Sequence, residues 1–207
     1  GGSSTVFPVM QAAIAAYQKG GANRQVRFEL KETGTSAGFR QFCSGKLPLA
    51  NASRPITAKE LKACAANGVT FLELPIGFDA ITVVVNPGNS WASSITTQEL
   101  ARLWKQGAAG SVKTWSQVNL DWPNRPIRLC GPGKDSGTYD YFNKAINGDE
   151  DNSRSDYFSS EKDNELVACV AKNPDALGYF GFAYYQDNAK RLKALSIVGP
   201  KGAVLPS

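Results

Sequence analysis

Two loops rich in glycine and hydroxyl side chains contain the residues whose types and spacing predict chemistry. One spans 135–138 (Asp-Ser-Gly-Thr), between a strand-like segment at 126–130 and a helical pattern that begins at Tyr139. The other spans 32–39, after the strand-like run 26–30. Where a loop becomes a helix, the first N–H groups have no partner within the helix, and the helix dipole adds partial positive charge. Each loop therefore suits a small oxyanion, although Asp, Ser and Thr are also ordinary helix caps.

A third loop of the same composition lies at the start of the chain. Residues 2–8 (Gly-Ser-Ser-Thr-Val-Phe-Pro) precede a helical pattern over 9–17. One such loop is most simply a cap, but three in a small chain suit an anion that is bound by several helix N-termini at once.

Composition excludes several other classes of function. The formal net charge is +5, but lysine and arginine are scattered rather than clustered, which argues against a nucleic-acid protein. Histidine is absent, so Ser-His-Asp and Cys-His catalysis and His-ligated metals are excluded. No apolar run approaches the ~20 residues of a membrane helix. The chain begins Gly-Gly-Ser-Ser without Met, and we interpret it as a mature or trimmed form whose leader has gone.

Helix and strand patterns alternate along the chain, which predicts an α/β fold. The predicted helices are 8–19, 37–45, 58–67, 96–104, 139–147 and 163–172. The predicted strands are 26–31, 47–52, 71–76, 80–86 and 126–130. Thr57-Ala-Lys-Glu has the spacing of a capping box at the start of a helix.

The order and spacing of six motifs carry a resemblance through nearly the whole chain. The sequence resembles the periplasmic phosphate-binding proteins of high-affinity phosphate ABC transporters, in the branch with Ala-Ser-Arg-Pro that is associated with cyanobacteria and some other bacteria. The matching segments are 2–8, 34–39, 52–56, 78–86, 131–142 and 176–185.

The resemblance implies a two-lobed periplasmic-binding-protein fold with the ligand cleft between the lobes. Lobe one would span 1–76 and lobe two 77–194, and 195–207 would return to lobe one. Members of the family continue with a further strand and helices, so we expect the C-terminal part of lobe one to be missing from this chain.

The resemblance also implies a set of phosphate ligands. The positions that match the ligand loops of the family are Thr5, Val6, Thr35, Ser36, Ser136, Gly137 and Thr138. Two positions depart from the best-known pattern: Arg54 stands where many members have Asp, and Pro132 where many have Arg. Arg54 is therefore the candidate cation, because a guanidinium offers paired donors to an oxyanion. The alternative is a surface arginine before a proline turn.

A site that binds phosphate and rejects sulfate is expected to contain a carboxylate. Hydrogen phosphate carries a proton that a carboxylate can accept, whereas sulfate meets only repulsion. The two candidates are Asp135 and Asp79. Asp135 is equally well explained as a helix cap, and Asp79 as an ion-pair partner of Arg54.

The four cysteines predict two disulfides, because their number is even and the chain resembles a secreted protein. A bridge between lobes would hinder opening, so we favour pairing within each lobe: Cys43 with Cys64, and Cys130 with Cys169. Buried free thiols are the alternative.

The resulting prediction is a non-enzymatic receptor that binds inorganic phosphate and delivers it to a membrane ABC permease. We expect a periplasmic or otherwise extracytoplasmic monomer with no cofactor, no metal and no nucleic-acid partner. A phosphate-sensing or adhesion protein that uses the same cleft is the alternative. A hydrolase with Ser136 as nucleophile is a less favoured alternative, since only a lysine such as Lys134 is available as its base.

Overall fold

The contacts of the chain divide it into two compact units. The computed structural model describes residues 1–20 and 25–205. Unit 1 comprises Gly1–Phe78 and Lys134–Gly137, and unit 2 comprises Asp79–Gly133 and Thr138–Ser207. The last two residues of unit 2, Pro206 and Ser207, lie outside the described part. The predicted boundary after Ile76 therefore falls two residues before the end of the first stretch of unit 1.

Unit 1 contains the helices that begin at two of the predicted anion loops. Helix α1 is Phe7–Lys19, with a proline in its first turn. Helix α2 is Thr35–Cys43, and α3 is Ala58–Ala66. The capping box at Thr57 is confirmed, because its hydroxyl accepts from the Glu60 N–H at 3.3 Å and the Glu60 carboxylate accepts from the Thr57 N–H at 2.9 Å. A disulfide between Cys43 and Cys64 joins α2 to α3.

The strands predicted in unit 1 are not formed as strands. Gly2 makes isolated parallel bridges to Glu32 and to Asn51, and residues 71–80 have neither helix nor strand. A ladder needs successive pairs along both segments, and single bridges at one glycine do not supply them. Much apolar surface of unit 1 is consequently exposed: α1 buries no residue, and Leu72, Leu74 and Ile76 are exposed.

Unit 2 is organised around a five-stranded mixed sheet with the order β4-β3-β5-β1-β6. Its strands are β1 (Ile81–Val85), β3 (Arg128–Pro132), β4 (Phe158–Ser160), β5 (Ala176–Gly181) and β6 (Lys193–Ala194). Strand β3 runs parallel to β4 and β5, whereas β1 runs antiparallel to β5 and β6. The helices of unit 2 are α4 (Thr97–Trp104), α5 (Gly137–Phe142, whose first residue lies in unit 1), α6 (Asp163–Ala171) and α7 (Phe182–Asp187). A π-helical stretch, Asn143–Asn147, continues α5.

Both faces of this sheet are buried. Val83 and Val85 belong to the core that contains Trp104, whereas Val84 belongs to the opposite core with α6. Successive side chains of a strand point to opposite faces, so this alternation confirms the predicted buried strand at 80–86. The Trp104 ring makes edge contacts with Tyr157 and Tyr179 at centroid distances of 5.2 and 4.9 Å. The second disulfide, Cys130–Cys169, ties β3 to α6.

Residues 195–205, which the resemblance assigns to a return to lobe one, are clustered with unit 2. They contribute β7 (Ser196–Gly199) and β8 (Gly202–Val204) to unit 2. Strand β7 pairs in parallel with β2 (Ser94–Thr96) and antiparallel with β8, which forms a three-stranded sheet. Backbone pairing with β2 is what holds this segment in unit 2.

A half-buried ion pair anchors the polar loop that precedes β4. The Arg154 side chain is buried and donates to Asp156 through Nε (2.6 Å) and Nη2 (2.9 Å), and also to the Leu103 carbonyl (3.0 Å). The Gly110 N–H donates to the same carboxylate at 2.9 Å. The hydrogen bonds from Arg154 are the main reason that the pKa of Asp156 is lowered to about 2.

This ion pair predicts a pH-dependent contribution to stability. A carboxylate whose pKa is lowered by folding stabilises the protein above its ordinary pKa, and that stability is lost as the pH falls toward 2. We expect Asp156→Asn to lower the free energy of unfolding by about 1 kcal/mol at pH 7, because the carboxylate is partly screened by solvent. Urea unfolding at pH 7 and pH 2.5 should find a smaller difference from the parent at the lower pH. The exposed Glu150, which is paired with Lys144 at 3.6 Å, provides the control Glu150→Gln. An equal difference at both pH values would contradict the prediction.

Candidate functional site

Three loops of unit 1 meet at the hydroxyl of Thr35. Thr35 is fully buried at the start of α2, and its Oγ1 lies 3.1 Å from Ser53 Oγ. The Ser53 N–H donates to the same Thr35 oxygen at 3.2 Å. Gly137 faces this pair so closely that a Cβ there would lie 2.5 Å from Ser53 Oγ and 2.9 Å from Thr35 Oγ1. A Cβ at position 137 would displace these hydroxyl groups, because the glycine backbone packs directly against them.

Arg54 lies beside these hydroxyls and is held on several sides. Its Nη2 donates to Ser36 Oγ at 2.8 Å, next to the first residue of α2. Both terminal nitrogens donate to the Glu60 carboxylate at 2.9 Å, as a bidentate pair. The guanidinium also lies 5.4 Å from the centre of the Phe39 ring. Arg54 is thus not a surface arginine, since only 11% of its side chain is exposed.

Asp135 connects the loop 134–137 to α2. Its carbonyl accepts a hydrogen bond from the Ser36 N–H at 2.9 Å, and its carboxylate pairs with Arg40 at 2.8 Å. Gly34 packs against the Asp135 backbone with φ +84°, a conformation that favours glycine. These contacts explain why residues 134–137 belong to unit 1, and they bring five of the predicted site positions into one cluster: Thr35, Ser36, Arg54, Asp135 and Gly137.

Thr5 and Val6 lie at the start of α1. Val6 is the N-cap position of the helix, and no side chain caps that helix end. The Thr5 hydroxyl oxygen is inaccessible to solvent and has no hydrogen-bond partner among the described residues, and the same holds for the hydroxyl of Thr33. Buried polar atoms are almost always hydrogen-bonded, so these two hydroxyls are candidate hydrogen-bond donors of the site.

The other predicted ligand positions are described within their own units. Ser136 of unit 1 is 7% exposed, and Thr138 of unit 2, in the first turn of α5, is 6% exposed. Asp79 of unit 2 accepts hydrogen bonds from the backbone N–H groups of Ala80 and Phe182, but burial outweighs them and raises the pKa of its carboxyl. Within unit 1, the Glu60 carboxylate pairs with Arg54.

Sequence reasoning missed three members of the cluster. Ser53 lies within the recognised Ala-Ser-Arg-Pro motif, but it was not counted as part of the site. Glu60 was identified only as the second residue of a capping box, although the same carboxylate reaches Arg54. Arg40 follows Ser36 by one helical turn on α2, a spacing that places both on the same face.

The electrostatics of the cluster keep Glu60 ionised. Burial raises the pKa of the Glu60 carboxyl, but hydrogen bonds from Arg54 and Thr57 together outweigh it, and its pKa lies below the ordinary value. Among residues 1–20 and 25–205 there is no group of acidic and cysteine side chains that could hold a metal ion. Nor does any helix in these ranges have the length and apolar character needed to cross a bilayer.

Comparisons with known proteins place the chain in a family. The model of the PBP superfamily domain matches residues 1–207. Protein SphX from Synechocystis sp. is 47% identical over 206 residues, and phosphate-binding protein PstS from Staphylococcus epidermidis is 32% identical over 206 residues. A solved structure of a possible phosphate binding protein from Planctomyces limnophilus is 41% identical, with a TM-score of 0.63.

The similarity spans this chain but only part of each relative. It covers 100% of the chain and 61% of SphX, 98% of the chain and 60% of PstS, and 100% of the chain and 72% of the Planctomyces structure. The chain thus spans about three fifths of the length of the two curated relatives. The predicted α/β fold of the periplasmic-binding-protein type is confirmed by the family match and by the fold of the solved relative.

Proposed function

This chain belongs to the PBP superfamily, and we propose that it binds inorganic phosphate without chemically changing it. The names of its relatives support this ligand, since PstS is a phosphate-binding protein and the Planctomyces structure is described as a possible one. The proposed ligands include Thr5, Val6, Thr35, Ser36 and Arg54 of unit 1. The others are Asp135, Ser136 and Gly137 of unit 1, and Asp79 and Thr138 of unit 2.

The observation that carries the proposal is the convergence of donors around Thr35. Hydroxyls of Thr35, Ser36 and Ser53, the Arg54 guanidinium and the backbone at Gly137 lie within hydrogen-bonding or packing distance of one another. Neutral donors and one partly neutralised cation suit an anion that must also be released. A helix N-terminus contributes at this point, because α2 begins at Thr35.

The same residues argue against hydrolysis. Ser136 lacks a histidine partner, because the chain contains none. Its neighbour Gly137 packs against further hydroxyls, Ser53 and Thr35, which are donors rather than bases. We propose a receptor, and we expect no turnover of phosphoester or carboxylic ester substrates.

Delivery to a membrane ABC permease, an extracytoplasmic location and a monomeric state complete the proposal. The two disulfides support an oxidising compartment, where such bridges persist. The transport role follows from the resemblance of the ligand motifs to those of phosphate-binding proteins that serve ABC transporters.

Calorimetric titration with phosphate, arsenate and sulfate tests the proposed function. We expect saturable binding of phosphate at one site per chain and no measurable binding of sulfate at the same concentrations. Incubation with generic ester and phosphoester substrates should release no product. Absence of heat with phosphate, or steady turnover of a substrate, would overturn the proposal.

Selectivity should depend on one of two carboxylates. Replacing the proton acceptor by Asn removes the repulsion of sulfate and keeps the shape, because an amide can donate as well as accept. We expect Asp135→Asn to narrow the gap between phosphate and sulfate affinity more than Asp79→Asn, because the hydrogen bond from the Ser36 N–H to the Asp135 backbone carbonyl places residue 135 beside the start of α2. Competition binding measures the gap. If both variants reject sulfate as the parent does, neither carboxylate discriminates between the anions.

A further inference from the structure

The hydrogen bonds of Arg54 define which edge of its guanidinium faces the hydroxyl cluster. Nη1 donates to Glu60 Oε2 at 2.9 Å and to the Pro55 carbonyl at 3.0 Å. Nη2 donates to Glu60 Oε1 at 2.9 Å and to Ser36 Oγ at 2.8 Å. A guanidinium has two hydrogens on each terminal nitrogen, in a fixed plane. Glu60 therefore accepts one hydrogen from each terminal nitrogen, and the second hydrogen of Nη2 is donated to Ser36.

Glu60 is itself held in place by the start of α3. Its Oε2 accepts from the Thr57 N–H at 2.9 Å and from the Thr57 hydroxyl at 2.8 Å. The pair is mostly buried, with 11% of the Arg54 side chain and 15% of the Glu60 side chain exposed. An ion pair shielded from water in this way has a stronger and more directional interaction than a pair on the surface.

From this geometry we propose that Glu60 is a positioning residue for anion binding. It holds the Arg54 guanidinium beside Ser36, at the N-terminus of α2, where the positive charge of the guanidinium attracts the anion. The inference rests on the phosphate-binding function proposed above. It adds a residue that neither the motifs nor the helix-cap assignment identifies as part of the site.

Because Glu60 is negatively charged, a gain or a loss of phosphate affinity on its removal distinguishes two roles of this residue. A carboxylate close to an anion site repels the anion, so removing its charge alone should strengthen binding. If Glu60 instead works by orienting Arg54, its removal should weaken binding despite the lost repulsion. Glu60→Gln distinguishes repulsion of the anion from orientation of Arg54, because glutamine keeps a capping-box acceptor for Thr57. Its amide has one oxygen and one NH₂ group, so it cannot form the two parallel hydrogen bonds that the two carboxylate oxygens accept from Arg54.

Calorimetric titration of the chain with inorganic phosphate tests the inference. We expect Glu60→Gln to bind phosphate about tenfold to a hundredfold more weakly than the parent, as is usual when a partner that orients a ligating group is lost. The matched control is Glu99→Gln, since Glu99 completes the same capping box with Thr96 in α4 and accepts from Asn119 rather than from an arginine. We expect the control to keep the parental affinity. Equal or tighter binding by Glu60→Gln would overturn the inference.

A double-mutant comparison distinguishes positioning from a general structural effect. If Glu60 acts through Arg54, adding Glu60→Gln to Arg54→Ala should cause no further loss of phosphate affinity. The same loss in both backgrounds would mean that Glu60 acts through the fold of α3, and the inference would be wrong. Lack of phosphate binding by the parent is a different result, because it overturns the proposed function and the inference with it.

Discussion

Arg54→Ala should weaken phosphate binding by about 3 kcal/mol, which is more than a hundredfold in affinity. A hydrogen bond to a charged group contributes about 1.5–3 kcal/mol, and loss of Arg54 also leaves the negative charge of Glu60 near the anion without its arginine partner. The large effect is expected because Arg54 is a mostly buried guanidinium that donates to the Ser36 hydroxyl at the start of α2. Calorimetry with phosphate measures the change.

Arg125→Ala is a matched control for this variant. Arg125 of unit 2 also has a carboxylate partner, Asp175 at 2.7 Å, and an aromatic ring beneath its guanidinium, Trp91 at 5.1 Å. Its removal should leave phosphate affinity unchanged. Arg54→Lys keeps the charge but not the planar pair of donors, and we expect it to recover only part of the lost affinity. Parental affinity in Arg54→Ala would place the binding cation elsewhere in the chain.

Gly34→Ala should destabilise the chain by about 3 kcal/mol and also weaken phosphate binding. Gly34 has φ +84° and ψ 155°, a region that is essentially restricted to glycine. An added Cβ would also run into the backbone of Asp135, which cannot move aside as a flexible side chain can. Relief of that clash would separate the loop 134–137 from α2 and break the hydrogen bond from the Ser36 N–H to the Asp135 carbonyl.

Gly45→Ala distinguishes the conformational penalty of a positive φ from the steric clash with Asp135. Gly45 also has a positive φ of +74°, but a Cβ there would meet no atom within 4 Å. We expect it to cost about 1 kcal/mol, the conformational penalty alone, and to leave phosphate affinity unchanged. Urea unfolding followed by far-UV circular dichroism compares the two variants. Similar free energies of unfolding for both would contradict the close approach of Gly34 to Asp135.

The sequence by itself determined the features that depend on residues close together in the chain. The capping boxes at Thr57 and Thr96 follow from side chains within one helical turn, where local hydrogen bonds decide the structure. The buried strand at 81–85 follows from a continuous apolar run. The favoured cysteine pairings also occur in the structure, although they were chosen from the implied lobes rather than from geometry.

Tertiary structure alone decided the contacts between segments that are distant in the chain. It assigned residues 134–137 to unit 1 and paired Asp135 with Arg40, and it paired β7 with β2 so that 195–205 belong to unit 2. Residues 26–31 form no strand in the structure. A strand forms only where a partner segment offers successive backbone groups for pairing, whatever the β-propensity of the segment itself. The double role of Glu60 belongs to the same class. Its spacing from Thr57 predicts a cap, but only the folded unit brings the same carboxylate to the guanidinium of Arg54.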